Sequence, residues 1–274
     1  MALTAFQREL CQLLAAQRLA SGESYVAGGA ALNELLGAPR VSRDVDLFHD
    51  TAEALTKTFE ADRRELERNR CELRIVRERP AFVEVEVRRG KDVVLLQWVQ
   101  DSAYRFFPLV REEPFGLTLH PFDLATNKVL ALVGRLEVRD WIDTIASSEK
   151  LQHLGYLAWA ACGKDPGFSP TAILEYAARS SRYSAEEVAA LEFDGPPPDA
   201  GALARRWRVL LEEAHRIVAT LPAEDVGRCV LRSDGKLYTS DPSALGKDLE
   251  RGHVRFHAGC IRGALPSLMA SGGR

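Results

Sequence analysis

Residues 25–48 read YVAGGAALNELLGAPRVSRDVDLF, and this stretch decides the fold. The apolar run at residues 24–27 ends in Gly28 and Gly29, which pass directly into AALNELL, a helical pattern closed by Gly37 and Pro39. The strand that follows, residues 44–48, alternates Asp44, Val45, Asp46 and Leu47, so one face is apolar and the other carries both carboxylates. Two glycines at a strand end let the backbone approach a ligand closely and aim amide groups at an anion such as a triphosphate. Carboxylates roughly 7 Å apart along one strand face repel unless a cation lies between them or water solvates them. A solvated edge strand is the alternative reading of an isolated D-x-D. The upstream glycines and the flanking Arg40, Ser42 and Arg43 favour the cation.

Outward from this core, residues 5–20 place Phe6, Leu10, Leu13, Leu14 and Ala16 at helical spacing and stop at Ser21 and Gly22. Residues 51–69 form a charged helix with Leu55, Phe59 and Leu66 as its apolar face, and three strands follow at 72–78, 82–88 and 93–99. Beyond residue 120 the pattern becomes helical. HPFDLATNKVLALVGR has Pro121 at its first turn and Asp123 suited to the helix dipole, and EVRDWIDTIASSEKL continues as a second helix. Two or three helices span 150–190, DGPPPDAG at 194–201 reads as a linker, a long helix follows it, and Ser233 to Lys236 reads as a tight turn. This order predicts an α/β protein of the α+β kind. A small mixed sheet occupies residues 1–118, and an all-helical C-terminal domain, residues 119–274, contributes to the site.

The 274 residues are 46% hydrophobic, enough for a sizeable core, and the net charge of -3 excludes a global field for nonspecific nucleic-acid binding. Five widely spaced cysteines without a C-x-x-C pair argue against a disulfide framework or a structural zinc site. The N-terminus reads as an amphipathic helix, not a signal sequence, and no apolar run approaches the roughly 18 residues of a membrane span. The expectation is a cytoplasmic protein without membrane contact.

GG-A-A-L followed by R-x-S-x-D-x-D-L-F resembles the opening of the AbiEii/MenA-type nucleotidyltransferase toxins, of the polymerase-β-like superfamily. HPFDLATNKVLALVGRLEVRDWID is similar to the later block of that family, with Lys128 at the helix lysine and Arg139, Asp140 and Asp143 at its R-D-x-x-D element. The resemblance covers roughly residues 25–145. It implies a Mg²⁺ (or Mn²⁺) site on Asp44 and Asp46 and a nucleoside triphosphate on Gly28 and Gly29, with Arg40, Ser42, Lys128, Arg135 and Arg139 as further nucleotide contacts. Lys128 and Asp143 join the aspartate pair in the implied catalytic set. It also implies an RNA acceptor, with tRNA the first to consider, and an antitoxin protein as partner.

Physically, Lys128 would add a point charge near phosphates, and Arg135, seven residues on, shares its helix face. The plainer alternatives are a solvated Arg135 and, for Asp143, a helix-surface pair with Arg139 four residues before it beside an exposed acid. Asp123 reads as a helix-start residue. One departure from the superfamily pattern concerns the strand VVLLQWV, which carries Gln97 where a third carboxylate is usual. Glu84, Glu86 and Asp101 are the candidate substitutes. If none substitutes, the chain is a nucleotide-binding or protein-interaction module without turnover. A nucleotidyltransferase acting on an antibiotic would share the same site. The basic runs at 63–70 and 205–208 read as solvated helix faces or, for an RNA acceptor, backbone contacts. His49 reads as incidental, and His253 with His257 makes a weak metal suggestion.

Overall fold

The computed structural model describes residues 2–179 and 183–267. Along the chain run α1 (Ala5–Ser21), β1 (Ser24–Ala27), α2 (Gly28–Leu36), β2 (Asp44–His49), α3 (Ala52–Arg68), β3 (Glu72–Arg79), β4 (Phe82–Arg89) and β5 (Asp92–Gln100). Then come β6 (Tyr104–Arg105), β7 (Val110–Glu112), β8 (Gly116–Thr118), α4 (Pro121–Arg135), α5 (Val138–Lys150), α6 (Leu154–Ala161), α7 (Pro170–Ala178), α8 (Ala185–Ala189) and α9 (Ala200–Thr220). The chain closes with β9 (Cys229–Arg232), α10 (Leu245–Glu250), β10 (Val254–His257) and β11 (Cys260–Ile261). Two compact units result: Met1–Ala103 with Leu109–Leu124 and Leu191–Pro196, and Tyr104–Pro108 with Ala125–Ala190 and Pro197–Arg274.

The first unit is built on a seven-stranded mixed sheet in the order β3-β4-β5-β2-β1-β8-β7. Its two central pairings are parallel β2–β5 and antiparallel β1–β2. Period-two alternation sorts the side chains. Val45 and Leu47 of β2, Val83, Val85 and Val87 of β4, and Val94, Leu96 and Trp98 of β5 are all buried. Helices α1 and α3 pack on these strands, and each such side chain stabilises the fold by about 1.5–3 kcal/mol. The opposite face of β2 carries Asp44 and Asp46, both half-buried. The start of the segment expected as a linker is fixed to this unit: the Asp194 amide donates to the Pro39 carbonyl at 2.7 Å, next to the Arg40–Phe193 bridge and the bond from the Val41 amide to the Glu192 carbonyl at 2.9 Å.

The second unit is mainly helical. Helix α6 is buried on every side, and a Cβ on Gly155 would lie 2.7 Å from Ile217, so α6 and α9 approach closely only because residue 155 is glycine. Tyr156, Trp159, Ile217, Leu221, Val230, Tyr238 and Leu245 form its inner cluster. Contrary to an all-helical expectation, two short ladders belong to it, β9 with β10 and β6 with β11. Strands of two to four residues are too short for alternation to stand out in a sequence. The turn at 233–236 is present, with the Arg232 amide on the Lys236 carbonyl at 2.8 Å, yet the main partner of β9 is β10. Among the described residues no helix is long and apolar enough to cross a membrane.

Candidate active site

In the first unit Gly28, Gly29 and Asp46 come together at the β1–α2 turn. The register pairs Ala27 with Asp46, which brings the Asp46 side chain against the first residue of α2. Gly28 has φ 69°, and a Cβ there would sit 1.7 Å from Asp46 Oδ2. Glycine is therefore required twice over, for the left-handed backbone and for the space the carboxylate occupies. Gly29 is buried behind it, and Ala27 offers α2 no side-chain cap. The opening amides of α2 and its dipole thus favour negative charge at the place where Asp46 lies.

Asp44 stands two residues earlier on the same face, and Ser42 Oγ donates to its Oδ1 at 2.9 Å. The Ser42 hydroxyl thus orients a carboxylate. Arg40 is 4% exposed, and its Nη1 donates to the Val41 carbonyl at 3.3 Å. His49 falls on the apolar face with Val45 and Leu47, away from the aspartates. Burial there pushes its pKa down to about 4, and Nδ1 lies 3.3 Å from the Val99 carbonyl.

The rows across the sheet locate the departure at residue 97. Asp46 pairs with Gln97, and Gln97 pairs with Glu84 on the next strand. Gln97 Nε2 donates to Glu84 Oε1 at 2.8 Å. At about 4.8 Å per strand, the Glu84 backbone lies roughly 10 Å from that of Asp46. Glu86 is instead engaged by Arg74 at 2.9 Å and Arg88 at 3.4 Å. Asp101, past the end of β5, is exposed, and its amide donates to the His49 carbonyl at 3.0 Å. Among the described residues no group of three or more His, Cys, Asp or Glu side chains is placed to hold a metal ion. Asp44 and Asp46 are the two carboxylates of β2 on this face, residues that could hold a cation whose coordination substrate phosphates and water complete.

The candidates of the second unit form their own cluster. Lys128 Nζ lies 2.9 Å from Asp140 Oδ1 and 3.1 Å from Asp143 Oδ2, and both aspartates are fully buried. Spacing of three residues puts the two acids on one face of α5, and spacing of seven puts Lys128 and Arg135 on one face of α4. Arg135 reaches Asp140 with Nε at 3.1 Å and Nη2 at 3.0 Å, although its side chain is 46% exposed. Two positive and two negative formal charges cancel in this group. The plain reading of a helix-surface pair beside an exposed acid is thus corrected: packing of α5 fully buries both Asp140 and Asp143, and Lys128 lies within 3.1 Å of each. Arg139 pairs with Glu137 at 2.6 Å. Asp123 sits in the first turn of α4, fully buried.

The basic runs are largely neutralised within their own surfaces. Arg63 pairs with Glu67, Arg64 with Glu60, Arg68 with Glu65 and Arg206 with Glu149. The Gln97–Glu84 bond joins two strands and has no local signature in the sequence. Only the two alternating strands, each with a polar residue on the aspartate side, hinted at it.

No protein-family model and no curated protein matches the sequence. Solved structures do. A Helicobacter pylori protein described as a proposed nucleotidyltransferase superposes with a TM-score of 0.51 at 16% identity, over 80% of this chain and 97% of its own. JHP933 from Helicobacter pylori gives 0.49 at 15% identity, over 79% and 95%. MenT4, a nucleotidyltransferase toxin of Mycobacterium tuberculosis, gives 0.48 at 14% identity, over 79% and 82%. At these identities the first likeness establishes the fold alone: the chain has a nucleotidyltransferase-like fold, a mixed-sheet domain with a helical region.

Proposed function

We propose that this chain is a Mg²⁺-dependent nucleotidyltransferase that moves a nucleotide from a nucleoside triphosphate to an RNA acceptor, tRNA being the first to test, and that it acts as the toxin of a toxin-antitoxin or phage-defence pair. The observation that carries the reading is the seating of Asp46 against Gly28 at the start of α2, where Ala27 offers no side-chain cap. It joins an anion cradle and a carboxylate pair in one place. Asp44, oriented by Ser42, and Asp46 would hold the cation, and the opening amides of α2 would receive phosphate oxygens. A bound divalent cation offsets charge that accumulates on the phosphate and leaving oxygens during transfer. The toxin role, the RNA acceptor and an antitoxin partner are supported by the sequence resemblance.

The test is incubation of the full chain with each of the four α-labelled nucleoside triphosphates, Mg²⁺ and total RNA. Label on RNA with wild type, and none with Asp44→Asn or Asp46→Asn, is the expected result. No transfer with any nucleotide would reject the enzyme. A second reading, a nucleotide-binding module without turnover, is favoured by the amide at Gln97. Tight calorimetric binding of a nucleotide without label transfer would establish it.

A further inference from the structure

We propose that Gln97 supplies a neutral third oxygen to the cation held by Asp44 and Asp46, and that Glu84 is a positioning residue that decides which end of the Gln97 amide is offered; this rests on the nucleotidyltransferase reading. Gln97 sits between two acids in one row of the sheet, Asp46 on β2 and Glu84 on β4. An ionised carboxylate only accepts hydrogen bonds, so the amide must turn its Nε2–H₂ toward Glu84, as the 2.8 Å bond records. The reversed amide would set oxygen against oxygen. With Nε2 committed, Oε1 lies on the other branch of the amide, and no described residue donates to it. On the other flank of Gln97, its register neighbour is Asp46.

Hard cations accept amide carbonyl oxygens alongside carboxylates. A carboxylate at position 97 would stand between two others, and like charges in one row disfavour ionisation. The amide retains an oxygen donor without adding a charge. The Glu84 anion polarises the amide through the shared hydrogen bond, which makes Oε1 a better ligand than an isolated amide. Glutamine here is thus part of the site, with the missing acid displaced by one strand.

The test uses Mn²⁺ as the probe, titrated into the full chain with and without ATP and followed by electron paramagnetic resonance. Wild type binds Mn²⁺ and Asp46→Asn does not. Gln97→Leu weakens binding about tenfold, and Glu84→Leu weakens it severalfold while broadening the spectrum of the bound ion, because the amide loses its single orientation. Glu84→Gln, whose amide can donate to Gln97 Oε1 as readily as it accepts from Nε2, lets the Gln97 amide turn either way and keeps the broadened spectrum. Circular dichroism confirms that each variant folds. If wild type binds while Gln97→Leu matches it, the ligand role of Gln97 is overturned and the nucleotidyltransferase reading stands. If Glu84→Leu matches wild type in both readouts, the positioning role is overturned. If wild type binds no Mn²⁺ even with ATP, the nucleotidyltransferase reading fails and this inference with it.

Discussion

Replacing Gly28 by alanine separates two costs that glycine avoids at the β1–α2 turn. A side chain at φ 69° costs about 1–2 kcal/mol for the left-handed backbone. The new Cβ would also lie 1.7 Å from Asp46 Oδ2, whereas Cβ atoms essentially never come within 3.0 Å of another atom, so the carboxylate must retreat by at least 1.3 Å, the difference. Driving Asp46 off its rotamer adds about 0.5–1.5 kcal/mol, for roughly 1.5–3.5 kcal/mol in all. Gly37 supplies the control. It has φ 56°, and a Cβ added there would meet nothing within 4 Å, so Gly37→Ala carries the backbone cost alone. Urea unfolding should show both variants destabilised, with Gly28→Ala the worse by about 1 kcal/mol. Calorimetric titration with Mn²⁺ and ATP should show the larger contrast, with binding lost in Gly28→Ala and retained in Gly37→Ala. Equal nucleotide affinity in the two variants would refute the claim that Asp46 and the glycine turn form one site.

Two buried ionisable groups, Asp62 and His49, make a pH prediction. Burial raises Asp62 from 3.8 to about 6 and lowers His49 from 6.5 to about 4. The raised acid contributes stability that is present at low pH and lost as pH rises through about 6; the lowered histidine contributes stability present above 6.5 and lost as pH falls toward 4, about 3 kcal/mol each in opposite directions. Asp62→Asn, which keeps an acceptor for the Trp98 indole N–H, should expose the histidine slope as acid destabilisation between pH 6.5 and 4, measured by urea unfolding; a profile unchanged from wild type contradicts it. Lys128→Met removes the ammonium 3.1 Å from fully buried Asp143 and should cost about 3–5 kcal/mol, with partial recovery in the double variant carrying Asp143→Asn; a loss below about 1 kcal/mol in chemical denaturation counts against a closed ion cluster. Arg63, Arg64 and Arg68 already face Glu67, Glu60 and Glu65, so replacing all three by alanine should change stability by less than about 1 kcal/mol per pair and leave the salt dependence of any RNA binding unaltered in filter-binding assays.

Several features were legible in advance because backbone geometry fixes them locally. Asp44 and Asp46 share a face, and Val45 and Leu47 take the other, since strand side chains alternate regardless of what lies opposite. The same rule assigns His49 to the buried face, in keeping with its reading as incidental. Gly28 could be read as a special position because a strand that turns straight into a helix needs a backbone only glycine adopts cheaply. The helices of the second half followed from apolar spacing. The ladders β9–β10 and β6–β11 did not, being too short to leave a periodic trace. Arg40, a nucleotide contact that the family resemblance implies, is buried where residues 39–41 meet the segment around Phe193, far along the chain.

By itself, then, the sequence determined the alternating strands, the glycine turn and the residue types of the candidate site, all consequences of interactions within a few residues. Tertiary structure decided that Asp46 lies on Gly28, that Gln97 stands between Asp46 and Glu84, and that Lys128 is enclosed by Asp140 and Asp143. These depend on strand register and helix packing, which are set when apolar faces distant in the chain are buried together. A one-residue slip of β5 against β2 would turn Gln97 to the core and leave every local pattern unchanged.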